Sequence, residues 1–177
     1  MATVTRRELR ETVFALLFET DFHRDEQPAD IYNLAQENRE FCEDEYIRST
    51  YFGAVEKCAA LDVMIGRHSK DWKITRLAHV SRAVLRYCAY ELMYTDIPVQ
   101  IALNEAVVLD KKFDAPEARK FVNGVLNAIK NEIEQLGKQE CIRICEEALQ
   151  DEQPDEVPAD ESGDEPGDEP SAQDEQV

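Results

Sequence analysis

The chain has no run of apolar residues approaching the roughly 18–20 that a membrane helix needs, and its N-terminus carries no apolar signal core. These absences predict a soluble, cytoplasmic protein. No glycine-rich phosphate loop, Gly-x-Ser-x-Gly string or His-Glu-x-x-His string is present. The three histidines, His23, His68 and His79, lie in separate segments. An enzyme is therefore not expected, and neither is a cofactor. Five cysteines occur without the His or carboxylate spacing of a metal site, which predicts reduced thiols rather than zinc. Period-2 alternation is absent, so no strand is expected. Positive charge is missing from one whole segment. Residues 150–177 hold 12 of the 38 acidic residues and no Lys or Arg, so the formal charge of −18 leaves −6 for the body. A mildly acidic body excludes indiscriminate nucleic-acid binding, and any RNA site must be a local basic patch.

What is present is helical. Thr5 with Glu8 three residues later makes a capping-box pattern, and Leu9, Val13, Leu16 and Leu17 form an apolar stripe to about His23. A short helix begins near Ile31 and Leu34. A longer one is expected over Asp44–Arg67, with Tyr51, Val55, Cys58, Ala59, Asp62 and Ile65 on its inward face and Asp62 the exception. Ser69–Lys73 links two halves. Ile74–Thr95 is the next helix, with Leu77, Val80, Val84, Cys88 and Leu92 on one side. Pro98 and Pro116 suit helix starts. Val122, Val125, Leu126, Ile129, Ile133 and Leu136 give the last long helix a strong apolar face. Gly137 ends or bends it, and Gln139–Leu149 adds a short helix. The expected fold is all-α, about seven helices in two small bundles. The N-terminal bundle covers about 5–68 and the C-terminal one about 74–149. Residues 150–177 are too poor in apolar side chains to offset the entropy of ordering, and read as a disordered acidic tail.

The segment IPVQIALNEAVVLDKKFDAPEARKFVNGVLNAI, from Ile97 to Ile129, has a glycine, Gly124, inside a helix. Glycine there costs about 1 kcal/mol relative to alanine, so close packing or a ligand is expected. With VSRAVLRYCAYEL (Val80–Leu92) and TRRELRETVFALLF (Thr5–Phe18), this segment resembles the NusB family of transcription antitermination factors. The anchors span roughly residues 5–135. The resemblance implies two three-helix bundles and binding of a boxA-like single-stranded element in ribosomal RNA transcripts. It further implies a heterodimer with NusE, a small ribosomal subunit protein, and entry into the RNA polymerase antitermination complex. Without its partner, such a chain could form a homodimer.

Candidate contacts follow. Arg6, Arg7 and Arg10 cluster on the first helix, and arginine forks suit phosphates and stack on bases. They sit at the wrong end for the helix dipole. The alternative is a solvated helix start paired with Glu8 and Glu11, but the resemblance implies an RNA surface. Lys120, Phe121 and Asn123 offer an aromatic for stacking and an amide for base edges. The alternative places Phe121 in the core and Asn123 on backbone. Arg86 is read first as a structural partner of Glu91 or Glu105, and second as an RNA contact. Phe18 is the candidate partner contact, or else a core residue. Many relatives have an aromatic and a lysine where Val99 and Gln100 stand here, and glycine where Asp114 stands. The alternative function is a protein-interaction module of this fold with little RNA affinity. An RNA-modifying enzyme is disfavoured, because no cofactor-binding domain follows. The acidic tail is expected either to solubilise the chain or to compete with RNA for the basic surface.

Overall fold

The computed structural model describes residues 4–39, 41, 43–70 and 72–151. The acidic tail lies outside these residues, apart from its first two positions. Among the described residues the chain is all-helical, with eight α-helices and one 3-10 turn rather than about seven helices. The helices are α1 (Arg6–Phe22), α2 (Pro28–Arg39), α3 (Glu45–Glu56), α4 (Cys58–His68), α5 (His79–Tyr94), α6 (Val99–Phe113), α7 (Pro116–Leu136) and α8 (Lys138–Asp151), with the 3-10 turn at Ile74–Arg76.

The capping box forms as its residues dictate. Thr5 Oγ1 accepts from the Glu8 amide at 3.3 Å, and Glu8 Oε2 accepts from the Thr5 amide at 2.6 Å. The α1 stripe of Leu9, Val13, Leu16 and Leu17 is buried, and Phe14 joins it. Leu34 of α2 turns outward and is 56% exposed, leaving Ile31, Tyr32 and Ala35 to pack.

Two expected continuous helices are broken. The first breaks at Lys57, which leaves helical geometry between α3 and α4 while its N–H still donates to Gly53 O. The break rotates the register, so Ala60, Leu61, Met64 and Ile65 face inward and Ala59 faces solvent. Gly53 sits where α3 crosses α5: a Cβ there would lie 2.0 Å from the Tyr90 hydroxyl. The second breaks at Leu77 and Ala78, whose extended backbone separates the 3-10 turn from α5. Gly137, at φ 87°, ends α7, and α8 starts at the next residue. That φ suits glycine, which has no Cβ to clash.

The buried apolar residues form one cluster that draws on every α-helix. At its centre is α5, packed against α1, α3, α4, α6, α7 and α8. Its inward residues Val84, Leu85, Tyr87, Cys88, Ala89 and Leu92 are fully buried. No described helix is long and apolar enough to cross a membrane.

Candidate nucleic-acid interface

The three arginines of α1 go three ways. Arg6 is exposed and lays its guanidinium over the Tyr46 ring, 3.7 Å from the centroid. Arg7 is 57% exposed and forks onto Glu105 of α6, with Nε at 3.2 Å and Nη2 at 3.1 Å from the two carboxylate oxygens. That bond holds the Glu105 carboxyl below its usual range. Arg10 turns inward. It is 6% exposed, and its Nε lies 3.5 Å from Glu91 Oε1, which also accepts from the Tyr46 hydroxyl at 2.5 Å. Arg10 is thus the counter-ion of a buried carboxylate, since a buried charge needs a partner. The alternative pairing with Glu8 and Glu11 is not what forms: Arg7 goes to Glu105 and Arg10 to Glu91. Glu8 caps α1, and Glu11 takes Lys112 of α6 at 2.7 Å.

Arg86 is structural, though its partners are not Glu91 or Glu105. Its guanidinium binds both oxygens of Asp62 at 2.7 Å and Asp21 Oδ1 at 3.1 Å. Asp62 was the odd polar residue on an apolar face, and Arg86 is the reason it is there. Burial works against the Arg86 charge, but the bonds to Asp62 and the surrounding negative charges, Asp21 among them, together outweigh it and its pKa is raised. Asp21 ties the end of α1 to α5, receiving Arg82, His79 and Arg86. Although burial pushes its carboxyl up, the bonds from Arg82 and His79 hold it below the usual range. Periodicity gave no sign of Asp21, a polar residue near the end of an amphipathic helix.

On α7, Lys120 is exposed and Phe121 is half-buried, packed against the core while lining an open groove with Trp72, Arg76 and Leu77. The backbone C=O of Asn123 accepts from the Asn127 side chain at 2.8 Å. Gly124 is not a close-packing residue. It is exposed, and a Cβ there would meet nothing within 4 Å. Among the described residues no hydrogen bond or ion pair joins Lys120, Phe121 or Asn123 to the α1 arginines. Instead α6 packs on α7 and is pinned to α1 through Glu105 and Lys112.

Phe18 belongs to an aromatic strip that the sequence shows only in part. Phe14, Phe18 and Phe22 follow at helical spacing along α1. Phe113 stacks on Phe14 at 4.8 Å, and His79 stacks on Phe22 at 4.1 Å. Phe18 is half-buried, while Phe22 is 55% and Phe113 41% exposed. The strip meets the Trp72–Phe121 groove at the start of α5, where His79 belongs to one and Ala78 and Ser81 to the other. Sequence reasoning passed over Trp72, which falls in the connector, and Arg76, which was expected inside a helix and lies in the 3-10 turn. A tryptophan in a polar link was the available signal. Among the described residues no group of three His, Cys, Asp or Glu side chains is placed to hold a metal.

The model of the NusB family matches residues 7–131. The chain belongs to the NusB family. Its relatives include the transcription antitermination protein NusB of Bacillus pumilus, 40% identical over 131 residues, which cover 73% of this chain and 98% of that protein. The family is thus one of transcription antitermination factors, and this chain is a factor of that type. Among solved structures, NusB of T. maritima aligns with a TM-score of 0.66 at 30% identity, covering 82% of this chain and 99% of that one. A structure of antitermination factors NusB and NusE in complex with double-stranded RNA aligns at 0.63 and 31% identity, over 70% and 94% of the two chains.

Proposed function

We propose that this NusB-family chain binds a boxA-like single-stranded element of ribosomal RNA transcripts together with NusE, and joins the RNA polymerase antitermination complex. The observation that carries the reading is the similarity to a NusB that has been solved with both NusE and RNA. The chain would make and break no covalent bonds. Phosphate contacts would position it, and base contacts with the partner's help would specify the sequence. In this reading Arg6, Arg7, Lys120, Phe121 and Asn123 are the RNA contacts. Arg10 and Arg86 are positioning residues, because their guanidinium groups are held by internal carboxylates. The same reading divides the chain into two small bundles, 5–68 and 74–149, joined through the packing of α5. In the absence of NusE the chain could form a homodimer, and the cytoplasm is its expected location.

The arginine fork on Glu105 favours a second reading, a protein-interaction module with little RNA affinity, since the Arg7 charge is already balanced by a carboxylate. Titration of a labelled boxA-like RNA against a scrambled one, with and without NusE and at two salt concentrations, separates the two. Selective binding that NusE strengthens, that salt weakens with a log–log slope of about −0.7 per phosphate contact, and that Arg6→Ala and Lys120→Ala reduce, is the expected result. NusE binding with no RNA selectivity establishes the interaction module instead.

A further inference from the structure

We propose that the acidic tail, residues 152–177, folds back on a patch of cations between the connector and the start of α7, and must leave it before RNA can bind. The inference rests on the RNA reading above and adds a regulator to it: a polyanion within the chain that competes with the phosphates of the RNA.

Charge makes the tail and the patch complementary. Residues 152–177 hold 11 acidic residues and no Lys or Arg, with five Asp-Glu doublets between Asp155 and Glu175. The body is itself acidic, and most of its exposed cations are spent. Arg7, Arg24, Arg48, Lys112 and Arg143 are each held by a carboxylate. The patch is the exception. Arg76 lines an open groove with Ala118 and Phe121 of α7, and Arg119 and Lys120 lie between those two in sequence. Arg119 Nη2 donates to the backbone of Lys111 at 3.0 Å, which brings the end of α6 to the same place. Among the described residues Lys73, Arg76, Lys111, Arg119 and Lys120 form no ion pair. Against them stand Glu117 in the lining and Asp114, which already accepts from the Ser81 hydroxyl and the Ala115 amide. Even with Asp71 counted, residues 70–76 carry a net charge of +2.

The end of α8 delivers the tail to this side of the molecule. Ala148 and Leu149 share a hollow with Val63, Gly66 and Arg67 near the end of α4. From there α4 runs into the connector, and Arg76 is nine residues beyond Arg67, at most about 32 Å away along the chain. A coil of 26 residues spans about 28 Å on average, and self-repulsion of like charges extends it further. Tethering at that distance gives the tail an effective concentration of about 1 mM at the patch. With a weak tail–patch Kd of about 0.1 mM, that concentration lowers the affinity for RNA about ten-fold.

The test uses two full-length chains, the wild type and a variant in which the five doublets lose their charge, from Asp155→Asn with Glu156→Gln to Asp174→Asn with Glu175→Gln. Each is titrated with end-labelled boxA-like RNA in the presence of NusE, at low and at high salt. The amide NMR signals of the two chains are compared without RNA. The variant should bind RNA about ten-fold more tightly at low salt, and the two should converge at high salt. The wild type should show the shallower salt slope, because salt loosens the tail's contact as well as the RNA's. The amides of Lys73, Arg76, Arg119 and Lys120 should differ between the chains. A synthetic peptide of residues 152–177, added to the variant, should shift those signals back and compete with RNA. Equal RNA affinity of the two chains overturns the inference and leaves the RNA reading standing, with the tail a solubilising segment. Tighter binding by the variant without any shift of the patch amides overturns docking and leaves diffuse repulsion in its place. RNA binding by neither chain overturns both readings.

Discussion

Asp110 of α6 is fully buried, and neither carboxylate oxygen has a hydrogen-bond partner among the described residues. Burial and the neighbouring Asp114 push its carboxyl up to about 6, against a smaller pull from Arg119. The unfolded chain gives up this proton at lower pH than the folded one, so the group's contribution to stability falls as pH rises from about 4 to about 6 and is level above. The full loss is on the order of 2–3 kcal/mol. Asp110→Asn keeps the shape and removes the charge. It should raise the urea midpoint at pH 7.5 and flatten the stability profile across that window. An unchanged profile would show that the carboxyl is solvated in solution. Asp21 is the contrasting case. It is also buried but satisfied by Arg82, His79 and Arg86, so its lowered pKa supports the fold above its titration range and that support is lost as pH falls. Nothing in the sequence distinguishes these two aspartates. Each is one acidic letter in a helix, and only the neighbours brought by other helices set their opposite behaviour.

At the scale of the element, α1 carries three surfaces on one helix. One face is core, from Leu9 to Leu17. One end presents Arg6 and Arg7. The third surface is the aromatic strip through Phe18 to Phe22. Aromatic side chains dominate the energetics of protein interfaces when they enter desolvated pockets. Phe22→Ser should therefore weaken NusE binding about ten-fold by titration calorimetry while changing the melting temperature little, because this ring is already more than half exposed. A large drop in melting temperature with unchanged NusE affinity would make the strip part of the fold instead. The apolar stripe and the capping box of α1 were legible because they depend on neighbours three and four residues away. The inward turn of Arg10 was not, because Glu91 and Tyr46 reach it from α5 and α3. The break at Lys57 was also illegible: the sequence from Asp44 to Arg67 keeps a helical composition throughout.

Across the whole molecule, α5 is the common packing partner and α8 the outer closure. α8 lies beyond residues 7–131, where the family match ends, yet it packs on α4, α5 and α7 and buries Cys141 and Cys145 completely. Truncation after Leu136 should lower the melting temperature by about 5 °C or more, since it strips apolar surface from three helices. It should also increase binding of a hydrophobic dye. A truncated chain that melts like the full one would make α8 an ornament.

The sequence by itself determined the helical class, the caps and ends at Thr5, Pro116 and Gly137, the apolar face of α1, that of α7 as far as Ile133 (Leu136, expected on it, is exposed), and the family. These follow from local periodicity, backbone preference and strings of residues that lie together in the chain. The tertiary structure alone decided which arginines are spent inside and which remain outside. It also brought Trp72 to Phe121, His79 to Phe22 and Arg86 to Asp62. These pairs are separated by tens of residues, and an ion pair or an aromatic contact depends on distance in space, which periodicity along one helix does not encode.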